Sequence, residues 1–370
     1  MAQLKRIELS GFKSIKQLDL ELRSLNVMIG ANGAGKSNLV LFFKMLNEMM
    51  GQRLQQFIGT SGRAHSLLHY GPKKTPQMQA RLVFDVENGE DTYIMRLADA
   101  AVDTLIFVEE RLEFLQTDWR DDPKKVDLGA GHRETGITNA VEQGDQTAVV
   151  FRRLLNRCRV YQFHDTSPTA RVRRYCYVDD DRWLMPDAGN LAAVLNKLKK
   201  NDDPKAYRRI VGTIRQIAPY FDDFDLEPNG TGNNDIALNW REKSSDQLFG
   251  PHQISDGTLR AMALITLLLQ PVTDLPDVMV IDEPELGLHP FAKNILASLM
   301  KKASRHCQII VATQSAGLLD GFEPEDIVVV ERDESGSVFE RQNSEKLKDW
   351  LDEYTLRELW EKNVLGGGPA

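Results

Sequence analysis

The octapeptide Gly30-Ala31-Asn32-Gly33-Ala34-Gly35-Lys36-Ser37 has the spacing G-x-x-x-x-G-K-[ST]. Glycine carries no Cβ, so backbone N–H groups at such a loop can close on phosphate oxygens. Lys36 would supply a point charge for the β- and γ-phosphates, and Ser37 a hydroxyl for Mg²⁺. A helix opening at Lys36 would add its positive dipole end. Much later, the apolar run Val278-Met279-Val280-Ile281 ends in Asp282-Glu283. Two carboxylates at a strand end suit metal binding by Asp282 and polarisation of an attacking water by Glu283. Alone, the pair reads more simply as a solvated strand end. The phosphate loop upstream reverses that preference. Ser255-Asp256-Gly257 precedes another apolar run. It would put a hydroxyl, free N–H groups and a dipole end at one point, or simply cap a helix.

These groups need elements to hold them. Residues 4–9, 15–22 and 25–29 alternate like short strands, and 36–50 reads as a helix. Residues 79–86 and 92–97 read as antiparallel strands turning at Asn88-Gly89. The stretch 118–145 is rich in Gly, Asp and Thr and reads as a loop, followed by a helical pattern over 147–158. Residues 190–200 and 204–217 read as two helices split by Asn201-Asp202-Asp203, and 221–240 as a hairpin around Asn229-Gly230. Then helix and strand alternate: helix 258–270, strand 278–282, helix 290–304, strand 308–312, helix 316–319, strand 327–331. Nearly continuous apolar strands between helices predict a parallel sheet covered on both faces. Its two halves come from the ends of the sequence, with the middle inserted. Gly366-Gly367-Gly368 reads as a frayed end.

Composition narrows the classes. Across 370 residues, 46 Lys+Arg against 54 Asp+Glu leave a net charge of −8. That argues against wholesale coating of nucleic acid, though not against a local basic surface. The longest nearly apolar run, 261–269, falls well short of the roughly 20 residues a spanning helix needs. The opening MAQLKRIELS has no signal-peptide hydrophobic region. Cys158, Cys176 and Cys307 are scattered, without metal or disulfide spacing, so a reducing cytoplasm is expected. The histidines show no metal-ligand spacing, and His164-Asp165 reads as loop rather than as a nuclease pair.

Four motifs in order carry a resemblance. They are the phosphate loop preceded by Gly11-Phe12-Lys13-Ser14-Ile15, then Ile254-Ser255-Asp256-Gly257-Thr258-Leu259-Arg260, then Asp282-Glu283-Pro284-Glu285-Leu286-Gly287-Leu288-His289-Pro290, then Thr313-Gln314-Ser315. The chain resembles ABC-type ATPase heads, and among them the RecF/SMC-like branch of the AAA_21 type. The three later motifs look like its signature, its Walker B and D-loop run, and its switch. The resemblance implies an α/β P-loop ABC-ATPase head with a mixed, parallel-core sheet, an antiparallel β lobe and an inserted helical lobe. No sustained heptads occur, so no long coiled coil is expected. One head would span 1–370, with an N-terminal α/β and β lobe at 1–117, the inserted lobe and hairpin at 146–253, and the second half of the core at 254–370.

The same resemblance implies an ATP hydrolase using ATP and Mg²⁺. Glu283 and Gln314 would be catalytic. Lys13, Gly30, Ala31, Asn32, Gly33, Ala34, Gly35, Lys36, Ser37, Asn38, Gln162 and Asp282 would bind nucleotide, joined by Ser255 and Gly257 from a second subunit. Ser37, Asp282 and Gln162 would hold the metal, Gln162 being the candidate Q-loop residue. Two positions depart from common patterns. Asp256 stands where transporter heads mostly carry glycine, and Gln314 where histidine is frequent; an amide hydrogen-bonds but carries no proton near pH 7. The expected partners are a second copy across an ATP seam, an effector protein, and DNA or RNA, with no membrane. Arg152, Arg153, Arg157, Arg159, Arg171, Arg173 and Arg174 could meet such phosphates, or could form internal ion pairs. The segment after Arg332 reads as a hairpin and terminal helices, so nuclease or toxin activity is expected from another chain. The function expected is nucleic-acid maintenance or anti-phage defence. The alternatives are a nucleotide-gated scaffold with slow hydrolysis and, less favoured, a transporter ATPase subunit.

Overall fold

The computed structural model describes residues 2–116, 123–202, 204–228 and 234–368. Its central sheet has six strands in the order Ser337–Arg341, Ile327–Arg332, Leu25–Ile29, Gln308–Thr313, Val278–Asp282, Cys158–Tyr161. Neighbours run parallel, except for the edge hairpin formed by the first two. The expected mixed, parallel-core sheet is therefore present, assembled from both ends of the sequence.

Alternation explains why the inner strands are nearly continuous in apolar residues. Met28, Val278, Val280, Ile310, Ala312, Val328 and Val330 pack on one face. Val27, Ile29, Met279, Ile281, Ile309, Val311 and Val329 pack on the other. With helices or a second sheet on each side, Leu25–Ile29, Gln308–Thr313 and Val278–Asp282 bury every residue and show no polar alternation, whereas the edge strand Ser337–Arg341 leaves Val338 and Glu340 exposed.

The first face is covered by the helix Lys36–Met50, which buries Leu39, Val40, Phe42, Phe43, Met45, Leu46 and Met49. Its opposite side meets the second sheet, whose Leu9, Phe12, Leu82 and Met95 share the same core. Each fully buried ring, Phe42 or Phe43, contributes about 2–3 kcal/mol of apolar transfer. That second sheet is antiparallel, ordered Ile15–Glu21, Gln3–Phe12, Gln77–Val86, Gly89–Ala100, Thr104–Gln116, Lys124–Gly129. The other face of the central sheet takes the apolar helix Asp256–Leu269. Leu191–Lys197 and Pro204–Ile217 of the inserted lobe pack on that helix through Leu195, Ile210 and Ile214.

Some expectations change. Residues 118–145 are not loop throughout: Lys124–Gly129 pairs with Thr104–Gln116, and Ile137–Glu142 is helical. The polar composition there serves a buried carboxylate. Glu110 accepts from Tyr93 Oη and Thr135 Oγ1, each at 2.6 Å, and from Gly136 N at 2.8 Å, with His132 Nε2 also 2.8 Å away. The helix expected to reach 158 stops at Asn156, and Cys158–Tyr161 adds an edge strand to the central sheet. Phe221–Asp225 pairs with Asn239–Glu242 as a hairpin, while Asp235–Ile236 pairs instead with Cys176–Tyr177. The Asn229-Gly230 turn lies outside the described residues. Gly366–Gly368 is not frayed: Gly367 O accepts from Ala31 N at 2.9 Å, and Gly368 N donates to Asn363 Oδ1 at 3.0 Å. All three cysteines are free thiols. No helix among the described residues is long and apolar enough to cross a membrane.

Candidate active site

Register brings the motif ends together. Ile29 pairs with Thr313, Asp282 with Ala312, and Tyr161 with Ile281. The phosphate loop, Gln314, Glu283 and Gln162 therefore leave the sheet along one C-terminal edge, where parallel sheets bind ligands.

The loop reaches its helix at Gly35, whose φ is +120° and which offers no side-chain cap. The first N–H groups of Lys36–Met50 are thus left for an anion. A Cβ at Gly35 would lie 2.0 Å from Ser337 Oγ, so glycine is required twice over, by conformation and by contact. Ser337 is buried; its Oγ donates to Ala34 O at 2.5 Å and lies 2.6 Å from Ser14 Oγ. Asn38 Nδ2 donates to the same Ser14 hydroxyl at 2.5 Å. Lys36 Nζ donates to Gly30 O at 2.7 Å and Ala31 O at 3.1 Å. Burial pushes this ammonium below its ordinary pKa, and Glu283, Asp282 and Glu285 pull it back up. Lys13 sits at φ +49°, with its ammonium likewise lowered by burial. Ser37 is exposed, as are Asn32 and Gly33.

Across from the loop, Gln162 Nε2 donates to Asp282 Oδ2 at 3.0 Å, and His164 Nε2 lies 3.0 Å from Asp282 O. Asp282 Oδ1 is buried and has no partner among the described residues. An unpaired buried carboxylate oxygen is costly, and a hard cation that prefers oxygen ligands would satisfy it. The Gln162 amide turns its nitrogen to Asp282, which leaves Oε1 as an acceptor for the same ion. Asp282, Gln162 and the Ser37 hydroxyl thus fit Mg²⁺. Glu283 stands at φ +43°, its N–H held by Ala312 O at 2.8 Å, and Gln314 Nε2 donates to Glu283 Oε1 at 3.1 Å.

Ser255 and Gly257 make no hydrogen bond to the phosphate loop. Ser255 is an N-cap, its Oγ accepting from Thr258 N at 3.2 Å, and both Ser255 and Asp256 are exposed. A Cβ at Gly257 would meet Gly287 O at 2.5 Å, so the signature and the turn after Glu283 approach backbone to backbone.

Two arginines that the sequence showed only as part of a motif and of a basic cluster carry this geometry. Arg260 donates to Phe163 O at 3.2 Å, His164 O at 2.9 Å and Leu286 O at 3.3 Å, tying signature helix, Gln162 loop and acidic turn. Arg173 is buried; it donates to Thr166 O at 2.7 Å, Pro251 O at 2.5 Å, Ile254 O at 3.1 Å and Asp256 Oδ1 at 2.7 Å. Within the arginine cluster, Arg157 pairs with Asp277, Arg171 with Asp187, and Arg159 stacks over Trp183. Arg152, Arg153 and Arg174 remain exposed. No local signal marks Ser337, whose partners Ala34 and Ser14 lie at the other end of the chain, and three of the four acceptors of Arg173 are likewise distant in sequence.

A family model described as "AAA domain, putative AbiEii toxin, Type IV TA system" (AAA_21) matches residues 25–320, which hold the loop, the signature, the acidic strand end and the switch. The chain belongs to the AAA_21 family. The Old nuclease of Escherichia phage P2 is 21% identical over 94% of the chain. The energy-coupling factor transporter ATP-binding protein EcfA2 of Streptococcus pneumoniae is 27% identical over 35% of the chain. The AAA_21 chain spans 62% of the length of the Old nuclease and 51% of EcfA2. In fold it is similar to an Smc head bound to the C-winged helix domain of ScpA, with TM-score 0.60, 14% identity, and 94% of this chain and 99% of that chain covered. A Pyrococcus furiosus Smc head bound to the C-terminal domain of ScpA gives TM-score 0.57 at 15% identity, covering 95% and 99%. The AAA_21 protein thus has an ABC-type P-loop ATPase head, with the antiparallel lobe and inserted helices expected of one.

Proposed function

We propose that this AAA_21 protein binds and hydrolyses ATP with Mg²⁺, as a dimer with two ATP molecules at its seam. The observation that carries the reading is the shared C-terminal sheet edge. There an uncapped helix start faces Asp282 with its unpaired oxygen and Glu283 with its Gln314 partner. Lys36 and the loop N–H groups would bind the phosphates. A bound Mg²⁺, held by Ser37, Asp282 and Gln162, would neutralise phosphate charge. Glu283 would polarise the attacking water, and Gln314, a neutral amide, would orient Glu283 and hydrogen-bond the water or γ-phosphate.

Dimerisation is supported by what one chain lacks. The Ser255 helix end is exposed and makes no bond to its own phosphate loop. A second copy in two-fold symmetry would complete both sites at once, in a contact that closes on itself. Hydrolysis would drive a partner effector or act on nucleic acid, in nucleic-acid maintenance or anti-phage defence. The toxin–antitoxin description of the family and the likeness to a phage nuclease support the defence setting. The ScpA domains on the similar Smc heads support a protein partner, which also favours the second reading, a nucleotide-gated scaffold with slow hydrolysis.

Mixing two inactive variants tests the composite site. Lys36→Ala and Ser255→Arg should each abolish turnover alone. A mixed pair keeps one intact site, so partial recovery of hydrolysis is expected. Full activity in a proven monomer, with no recovery on mixing, would sink the reading. A measurable but slow wild-type turnover, unchanged in Glu283→Gln, would favour the scaffold.

A further inference from the structure

Glu285 is a carboxylate buried in the turn after the acidic strand, only 5% exposed. Its Oε1 accepts from Thr313 Oγ1 at 2.6 Å and from Gln314 N at 3.3 Å. The Thr313 hydroxyl accepts in turn from Ser315 N at 3.0 Å. The relay Ser315 N–H, Thr313 hydroxyl, Glu285 carboxylate therefore fixes three successive residues just where the strand Gln308–Thr313 ends. Beyond that end Gln314 N has no ladder partner, and Glu285 supplies its acceptor. The turn holding Glu285 is itself braced: Leu286 N donates to Glu283 O at 3.2 Å and Leu288 N to Glu285 O at 3.1 Å. Arg260 adds a bond to Leu286 O at 3.3 Å from the signature helix.

Burying a carboxylate there is costly, and a leucine of similar size would be cheaper. Oε2 is buried with no partner among the described residues. Burial pushes the Glu285 carboxyl above its ordinary pKa, against the pull of the Thr313 hydroxyl bond. What the position gains is control of a peptide whose side chain is exposed and reaches Glu283 across 3.1 Å. A fixed backbone sets the Cα–Cβ direction and the rotamers from which the Gln314 amide can reach Glu283.

We propose that Glu285 is a positioning residue for phosphoryl transfer: through the Thr313 hydroxyl and the Gln314 N–H it sets the Gln314 amide against Glu283. This rests on the reading of the site as an ATP hydrolase. Glu285 touches neither nucleotide nor water, so its loss should lower kcat and spare KM.

The test uses the full chain and compares Glu285→Gln, Glu285→Leu, Gln314→Ala and the double variant Glu285→Leu/Gln314→Ala. Glutamine keeps an Oε1 acceptor and should retain turnover within about threefold, whereas leucine should lower kcat by about tenfold or more with KM little changed. The double variant should be no slower than Gln314→Ala alone, because both changes disable one device. Hydrogen exchange of the peptide containing 313–315 should quicken in the leucine variant and not in the glutamine variant. Should the leucine variant not fold, Thr313→Val removes the same donor at equal volume and should act in the same direction. Independent, additive losses, a leucine variant with wild-type kcat, or exchange unmoved by it would each overturn the proposal. If wild-type protein shows no hydrolysis, the enzymatic reading falls. The exchange arm then decides on its own whether Glu285 holds Gln314.

Discussion

Gln162 Nε2 donates to Asp282 Oδ2 at 3.0 Å, joining residues 120 positions apart at adjacent strand ends. The bond consumes one carboxylate oxygen and leaves Oδ1 buried without a partner. Gln162→Ala should therefore free the Asp282 carboxylate to swing. The Mg²⁺ concentration for half-maximal ATP binding should rise by about tenfold or more, because the change removes one candidate ligand and the bond that orients another. Titration calorimetry with ATP at varied Mg²⁺ would read it; an unchanged midpoint would remove Gln162 from the metal site.

The Ser337 hydroxyl and Gly35 form a second joint. Gly35→Ala would drive a Cβ to 2.0 Å from Ser337 Oγ at a φ of +120°. The loop must move, and with it the N–H groups that would meet the phosphates of a bound nucleotide. Ligand at 100 times Kd stabilises a protein by about 2.7 kcal/mol, so loss of binding should erase the ATP-induced rise in Tm. Ser337→Ala removes the bond to Ala34 O without adding bulk, and should reduce that rise rather than abolish it. Thermal denaturation with and without ATP separates the two.

Arg173 organises the segment before the signature. Its removal would orphan three backbone carbonyls and release Asp256. Arg173→Ala should cost about 3 kcal/mol of folding stability, the range for stripping a buried charged donor. Lysine should not rescue it, because one ammonium cannot copy the planar fork that meets all four acceptors. Denaturant unfolding gives the comparison, and a loss confined to a few tenths of a kcal/mol would contradict the assignment.

A pH effect follows from Asp91, buried on the strand Gly89–Ala100 between Phe84 and Phe114 in register. Burial raises its carboxyl from 3.8 to about 6. The native chain therefore takes up this proton before the unfolded chain does. The contribution to stability is full below pH ~4 and is lost as pH rises through about 6. Asp91→Asn should stabilise the protein by about 1–2 kcal/mol at pH 8, with the advantage shrinking to nothing near pH 4. Parallel melting curves across that range would test it; a pH-independent difference would place the cause elsewhere.

Contiguous chemistry was legible in the residues alone. The helix Lys36–Met50 and the strands Leu25–Ile29 and Val278–Asp282 have the limits read from pattern, because each is long or apolar enough to declare its period. The phosphate loop, the acidic pair and the Ser255 cap are likewise each contained within a few successive residues. Tertiary structure decided what crosses between segments: Gln162 on Asp282, Ser337 on Ala34, Arg173 on Asp256, Glu285 on Thr313. Polar residues that read as loop over 132–136 turned out to serve Glu110, and Cys158–Tyr161, four residues long, was hidden behind a helix. The reason is the same in each case. Strand order and register are set by which apolar faces pack together, a global balance that leaves no mark in local sequence, and every one of these contacts depends on that order.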